Sequence, residues 1–187
     1  MAAPVRAHLM KTIAVFVAAT LLSVALPRVH AIESWREDGK PIADRDNMKA
    51  KDGFGAQLFL TESEKFFEDW NKPEAPIITG LQKARRNVPI LTVILFADPG
   101  TDAAGRAKVS CHVIVRKPDG TVYGELDLIG WDDEYIFPPH CLQLAKDRMG
   151  IRIEPQDPAG VYTVEATVRD EVKKVELPLK MTFEVAQ

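Results

Sequence analysis

Two short pairs hold the residue types best able to do chemistry in this chain, Cys111-His112 and His140-Cys141. A thiol beside an imidazole can make a nucleophile or a metal site, and two such thiols that meet can make a disulfide. Cys111 and Cys141 are the only two cysteines, with 29 residues between them. In an oxidising compartment a count of two reads first as one structural bridge, which would contribute roughly 3–4 kcal/mol on the chain-entropy model. Zinc sites and redox dithiols usually bring cysteines at CxxC spacing, and that spacing is missing. A bridge would carry His112 and His140 into one neighbourhood, where paired imidazoles suit copper or zinc. Against that, neighbours on a strand face opposite sides, so His112 points away from Cys111. Two surface or loop histidines are the plainer reading, and no cofactor is expected.

Other chemistry is thinner. There is no GxSxG elbow, no HExxH and no glycine-rich phosphate loop. Ser110, His112 and Asp132 can be assembled into a triad on paper, as can similar triples in any chain of this length. The segment Gly130 to Pro139 (GWDDEYIFPP) is more distinctive, because Asp132-Asp-Glu134 lies between Trp131 and Tyr135-Ile-Phe137. Aromatics mixed with acids on a long loop are what a protein-binding surface often offers, with Trp131, Asp132, Asp133, Tyr135 and Phe137 as contacts. The alternative is a loop folded back over one end of the core, since aromatics also seek burial. Both readings stay open at this point.

The elements that would position these residues follow from periodicity. Residues 32–55 are polar, without periodicity, and read as an N-terminal arm. Ala56 to Leu60 is a short strand. Thr61-Glu-Ser-Glu64 then has the pattern of a capping box, and Phe66, Phe67 and Trp70 follow at helical spacing. Those features predict one short helix over about Glu62 to Asn71, stopped by Pro73 and Pro76. From Pro76 the pattern turns to period two with regular turn signals. Strands are expected at Ile77–Leu81, Val88–Ala97, Lys108–Arg116 and Thr121–Ile129, the last two joined by a Pro118-Asp-Gly120 hairpin. More follow at Leu142–Ala145, Gly150–Glu154, Val161–Arg169 and Val175–Val185, where Pro178 marks an edge or a bulge. About seven or eight strands of this kind suit two antiparallel sheets packed on one core.

The segment Asp157-Pro-Ala-Gly-Val-Tyr-Thr-Val164, followed by Ala166-Thr-Val-Arg-Asp170, resembles the penultimate-strand signature of immunoglobulin-like and fibronectin III-like sandwich modules. The Pro118-Asp-Gly120 hairpin is similar to theirs. The resemblance covers Pro76 to Gln187 and implies that Tyr162 serves as a corner tyrosine. It departs from the antibody pattern at the cysteines: Cys141 follows a loop, and no tryptophan lies on the strand of Cys111. The expected organisation is a signal peptide at 1–31, an arm at 32–55, a strand and helix at 56–75 and a β-sandwich at 76–187.

The signal rests on Arg6 and Lys11, a 15-residue apolar run from Thr12 to Leu26, then Pro27 and Val29-His-Ala31. The run is shorter than the ~18–20 residues of a membrane-spanning helix, so cleavage after Ala31 and no membrane insertion are expected. The chain is then exported, to the periplasm if bacterial and otherwise secreted. The whole chain carries a formal net charge of −3, and removal of Arg6, Lys11 and Arg28 with the signal makes it more acidic. Mild acidity argues against nucleic acid and anionic lipid as partners. The sequence-level reading is a non-enzymatic exported module with a protein partner, the alternative being a metal or small-ligand carrier that uses His112 and His140.

Overall fold

Runs of aliphatic and β-branched residues bounded by Asp-Gly, Pro-Asp-Gly and Asp-Pro turns dominate the chain, and they fold as strands. The computed structural model describes residues 35–187 except 38, 39, 75, 77 and 79, so the expected signal peptide lies outside the described residues. In chain order the strands are β1 (Arg36–Glu37), β2 (Lys40–Pro41), β3 (Met48–Lys51) and β4 (Phe54–Thr61), then the helix α1 (Lys65–Asp69). There follow β5 (Lys83–Ala84), β6 (Ile90–Ala97), β7 (Val109–Arg116), β8 (Val122–Trp131), β9 (Gln143–Leu144), β10 (Gly150–Ile151), β11 (Gly160–Asp170) and β12 (Val175–Val185).

One sheet runs β10-β6-β4-β3, with β9 also on β6, and the other runs β5-β12-β11-β7-β8. Pairing is antiparallel except for β5, which lies parallel to the end of β12. The two sheets bury one shared core. Phe54, Leu58, Leu60, Ile94 and Phe96 come from the first sheet, and Val113, Val164, Val168, Leu177 and Phe183 from the second. The described residues are therefore mainly β, with two packed sheets, a separate β1–β2 pair and one short helix.

The polar arm is shorter than expected. Asp52 and Gly53 both take positive φ (49° and 75°) and close a two-residue hairpin, with Lys51 opposite Phe54. The sheet therefore starts at Met48, and β4 is an eight-residue strand next to the central β6. Strand Ile77–Leu81 is not seen at the described positions Ile78, Gly80 and Leu81, while residues 77 and 79 lie outside the described set. The short β5 at Lys83–Ala84 stands in its place.

The helix is also shorter than expected, at five residues. Thr61 Oγ1 accepts the Ser63 amide at 3.1 Å, so the Thr61-to-Glu64 capping box does not form. Phe66 packs edge-on against Phe59 with ring centres 5.1 Å apart, in a cluster with Val93 and Leu95. That places α1 on the outer face of the first sheet, where Trp35 also lies directly against Gly55. All eight residues of β6 are buried as a result.

Candidate functional site

The Trp131–Phe137 loop is built from the inside out. Trp131 ends β8 and meets Phe96 of the core edge-on at 6.3 Å. Tyr135 and Phe137 pack on the Trp131 ring at 6.0 and 5.5 Å and on each other at 5.3 Å. Burial, with the Asp98 carboxylate nearby, pushes the Tyr135 hydroxyl up to about 12. Lys146 Nζ lies 5.2 Å above the Trp131 ring and binds Asp132 at 2.5 Å, holding that carboxyl below its ordinary range. A second loop straps this one down. Arg106 donates to Asp132 O at 3.0 Å, Ala107 N–H to Asp133 O at 3.0 Å, and Tyr135 N–H to Gly105 O at 3.0 Å.

Of the five residues expected as contacts, the three aromatics are thus half-buried and form the cap at one end of the core. Asp132 and Asp133 are exposed, and Ile136, which was not singled out, is 76% exposed. The loop is folded back over one end of the core, with the aromatics at its base and the acids and one isoleucine exposed upon it.

Exposed apolar side chains concentrate beside this loop. Of the seven large hydrophobics that are exposed among the described residues, Val122, Leu126, Ile129 and Ile136 lie on β8 or just after it. Among the described residues strand β8 is also an edge, paired only to β7. Ile129 N–H donates outward to Asp147 Oδ2 at 2.9 Å, and Ile129 O accepts from Asp147 N–H at 3.0 Å.

The histidines and cysteines do not form one site. Cys111 is buried on the inner face of β7, and burial pushes its thiol up to about 12. Cys141 sits in the loop before β9, where its sulfur accepts from Gln143 Nε2 at 3.4 Å. Both are free thiols, so the expected Cys111–Cys141 bridge is not made in this structure. His112 lies on the outer face of β7, between Asp127 (Nδ1 to Oδ1, 2.7 Å) and Glu125 (Nε2 to Oε1, 3.2 Å). His140 takes a positive φ of 64° and is held by both oxygens of Asp98, through its backbone N–H at 2.6 Å and its Nδ1 at 2.7 Å. Among the described residues, no group of three or more His, Cys, Asp or Glu side chains is placed to hold a metal ion. The paper triad does not assemble either. Ser110 donates to Glu171 at 2.7 Å, His112 is taken by its two acids, and Asp132 by Lys146.

Sequence reasoning missed the clasp at the same end of the molecule. Asp170 is fully buried, and its carboxylate accepts the amides of Gly100 (2.6 Å), Val172 (2.9 Å) and Lys173 (3.0 Å). Lys173 Nζ donates to the carbonyls of Gly53 and Asp98, each at 2.8 Å. The available signal was an aspartate closing a long alternating strand just before a charged turn.

No protein-family model matches the chain, and neither does any curated protein. Solved structures give remote similarities. One is a family 123 glycoside hydrolase from Clostridium perfringens, at 12% identity and TM-score 0.44, over 72% of this chain. The match spans only 27% of that enzyme. A CARDB domain from Pyrococcus furiosus in complex with di-metal ions is 14% identical, TM-score 0.36, over 70% of this chain and 87% of its own. A Niemann-Pick type C2 protein from the Japanese carpenter ant is 10% identical, TM-score 0.37, over 70% and 89%.

Proposed function

We propose that this chain is a non-enzymatic exported module, built as an immunoglobulin-like sandwich, that binds a protein partner through β8 and the loop after it. The observation that carries the reading is the exposure of Val122, Leu126, Ile129 and Ile136 along one edge strand and the loop after it, with Leu126 on the core-facing side, Ile129 on the outer face, and Asp132, Asp133 and Glu134 just before Ile136. Exposed apolar side chains interleaved with charged ones along an open edge strand suit a surface that a partner covers. The aromatic base beneath Ile136 limits the ordering cost on binding. The corner hydrogen bond from Tyr162 to Pro158 O, 2.8 Å, supports the immunoglobulin-like assignment. The 1–31 segment supports export, to the periplasm if the source is bacterial.

The test is site-specific photocrosslinking from position 136, with position 161 as an exposed control on another strand, in the native compartment. Affinity for the partner so identified is then measured against Ile136→Asp and Asp132→Ala/Asp133→Ala. A loss of about tenfold or more is expected for Ile136→Asp. Equal affinity for wild type and both variants would remove this face from the interface.

A further inference from the structure

We propose that the free edge of β8 takes up an extended strand of a partner protein in which basic and apolar residues alternate. This deepens the binding-module reading and rests on it. The backbone groups of Ile129 point away from β7, toward Asp147. The hydrogen-bonding direction repeats every second residue along a strand, so the N–H and C=O of Asp127 and Glu125 point out of the same edge. The β7–β8 register is unbroken between Ser110–Ile129 and Val115–Gly124, so no bulge disturbs that alternation. No other strand pairs with β8 among the described residues.

The side chains say what an added strand must carry. On the outer face the edge presents Glu125 and Asp127, with side chains 55% and 90% exposed. The strand VYGELDLIGW holds no base; His112 of β7 touches both carboxylates from within the sheet, at 3.2 Å and 2.7 Å, and their exposed sides face away from it. On the core-facing side stands Leu126, 45% exposed although it sits opposite the buried Val113. The methyl end of Met149 lies against Gly124, two positions back along the strand. An incoming strand would therefore set basic residues against the two carboxylates and an apolar residue against Leu126, alternating by position. A second copy of the chain fits poorly, because pairing β8 with β8 brings acid against acid. Charges on an edge guard it against self-pairing while leaving it open to a strand of opposite sign.

The experiment uses the full mature chain, labelled for amide NMR, and a synthetic peptide of alternating lysine and valine. Three controls accompany it: the glutamate–valine counterpart, the lysine peptide N-methylated at alternate amides, and the Glu125→Lys/Asp127→Lys variant. Expected are shifts centred on residues 122–128 with the lysine peptide alone. Affinity should fall about tenfold or more on N-methylation, and preference should reverse to the glutamate peptide in the variant. Both substituted side chains are exposed, so the variant is expected to fold, and its own spectrum reports whether it does. Shifts confined to residues 131–137 would overturn strand addition while leaving the module reading in place. Absence of binding at millimolar peptide, or a β8-dependent dimer in sedimentation, would also overturn it. The photocrosslinking at position 136 judges the module reading independently.

Discussion

Strands β6 and β8 are both rich in aliphatic residues, yet the fold treats them in opposite ways. Every residue of β6 is buried, because the second sheet covers one face and α1 with Leu142 and Leu144 covers the other. Strand β8 buries only Leu128 and Gly130 and leaves Val122, Leu126 and Ile129 open. The contrast shows that apolar content alone does not make a core strand. Position in the sheet decides, and β6 is central while β8 is last in its row. Aliphatic side chains left on an open edge are a liability unless something covers them.

The comparison can be broken first at β6. Phe96→Ala removes a ring that contacts both Phe54 and Trp131, and it should cost about 3–5 kcal/mol by urea denaturation. Asp170→Ala should follow at about 3 kcal/mol, since it strands buried amides that now bind a carboxylate. Gly130→Ala should cost about 1–3 kcal/mol. A methyl there would lie 2.8 Å from Val109 Cγ1 and 3.1 Å from Val109 O, which is backbone and cannot turn aside.

Alkali offers a subtler comparison of buried and open regions. The Cys111 and Tyr135 side chains, ordinarily ionising near 9 and 10, are each pushed up to about 12 by burial. Between those values the unfolded chain gives up protons that the folded chain keeps. Stability is therefore full below pH 9 and falls as pH rises from there toward 12. Denaturation midpoints at pH 8 and pH 10.5 should differ in that sense, and Cys111→Val should flatten the part that begins near pH 9. At the small end, Leu126→Ser and Val122→Ser should each change stability by less than about 0.5 kcal/mol. A cost near that of Phe96→Ala would mean that β8 is not open in solution.

Much of the β pattern was legible because alternation and turn chemistry agree. Lys108–Arg116 differs from β7 by one residue, and Val161–Arg169 lies within β11. Strand β12 is second in its row, but β5 reaches only Glu184 and Val185, so around Pro178 the side away from β11 has no strand beside it among the described residues. The amides of Lys180 and Glu184 reach away from β11, to Asp46 O and Gln82 O, so the ring at 178 stands where no ladder bond is lost. The β11–β12 register runs through it without a shift, which removes the bulge alternative. Strand β3 was missed because Met-Lys-Ala-Lys carries too few apolar residues to show a period; its place comes from the Asp52-Gly53 turn and the partner strand. The site was less legible. Edge position depends on strand order, which spacing does not encode. Alternation did put Cys111 on one face with Val109, Val113 and Val115, the face that is buried, whereas the orientation of Cys141 toward Gln143 is a product of packing.

The clasp made by Asp170 and Lys173 bears on how the chain reaches this state. Its bonds join residues 70, 75 and 120 positions apart in sequence. Such contacts repay their loop-closure entropy only after most of the chain has been arranged, and folds dominated by them form slowly. Until the β11–β12 hairpin docks, the inner face of the first sheet lacks the part of its cover that Tyr162, Val164, Val168, Leu177 and Phe183 supply. A chain in which that hairpin docks last keeps part of the β6 inner face exposed until then, and suppressing aggregation over that interval would raise the yield of folded protein without altering the final fold.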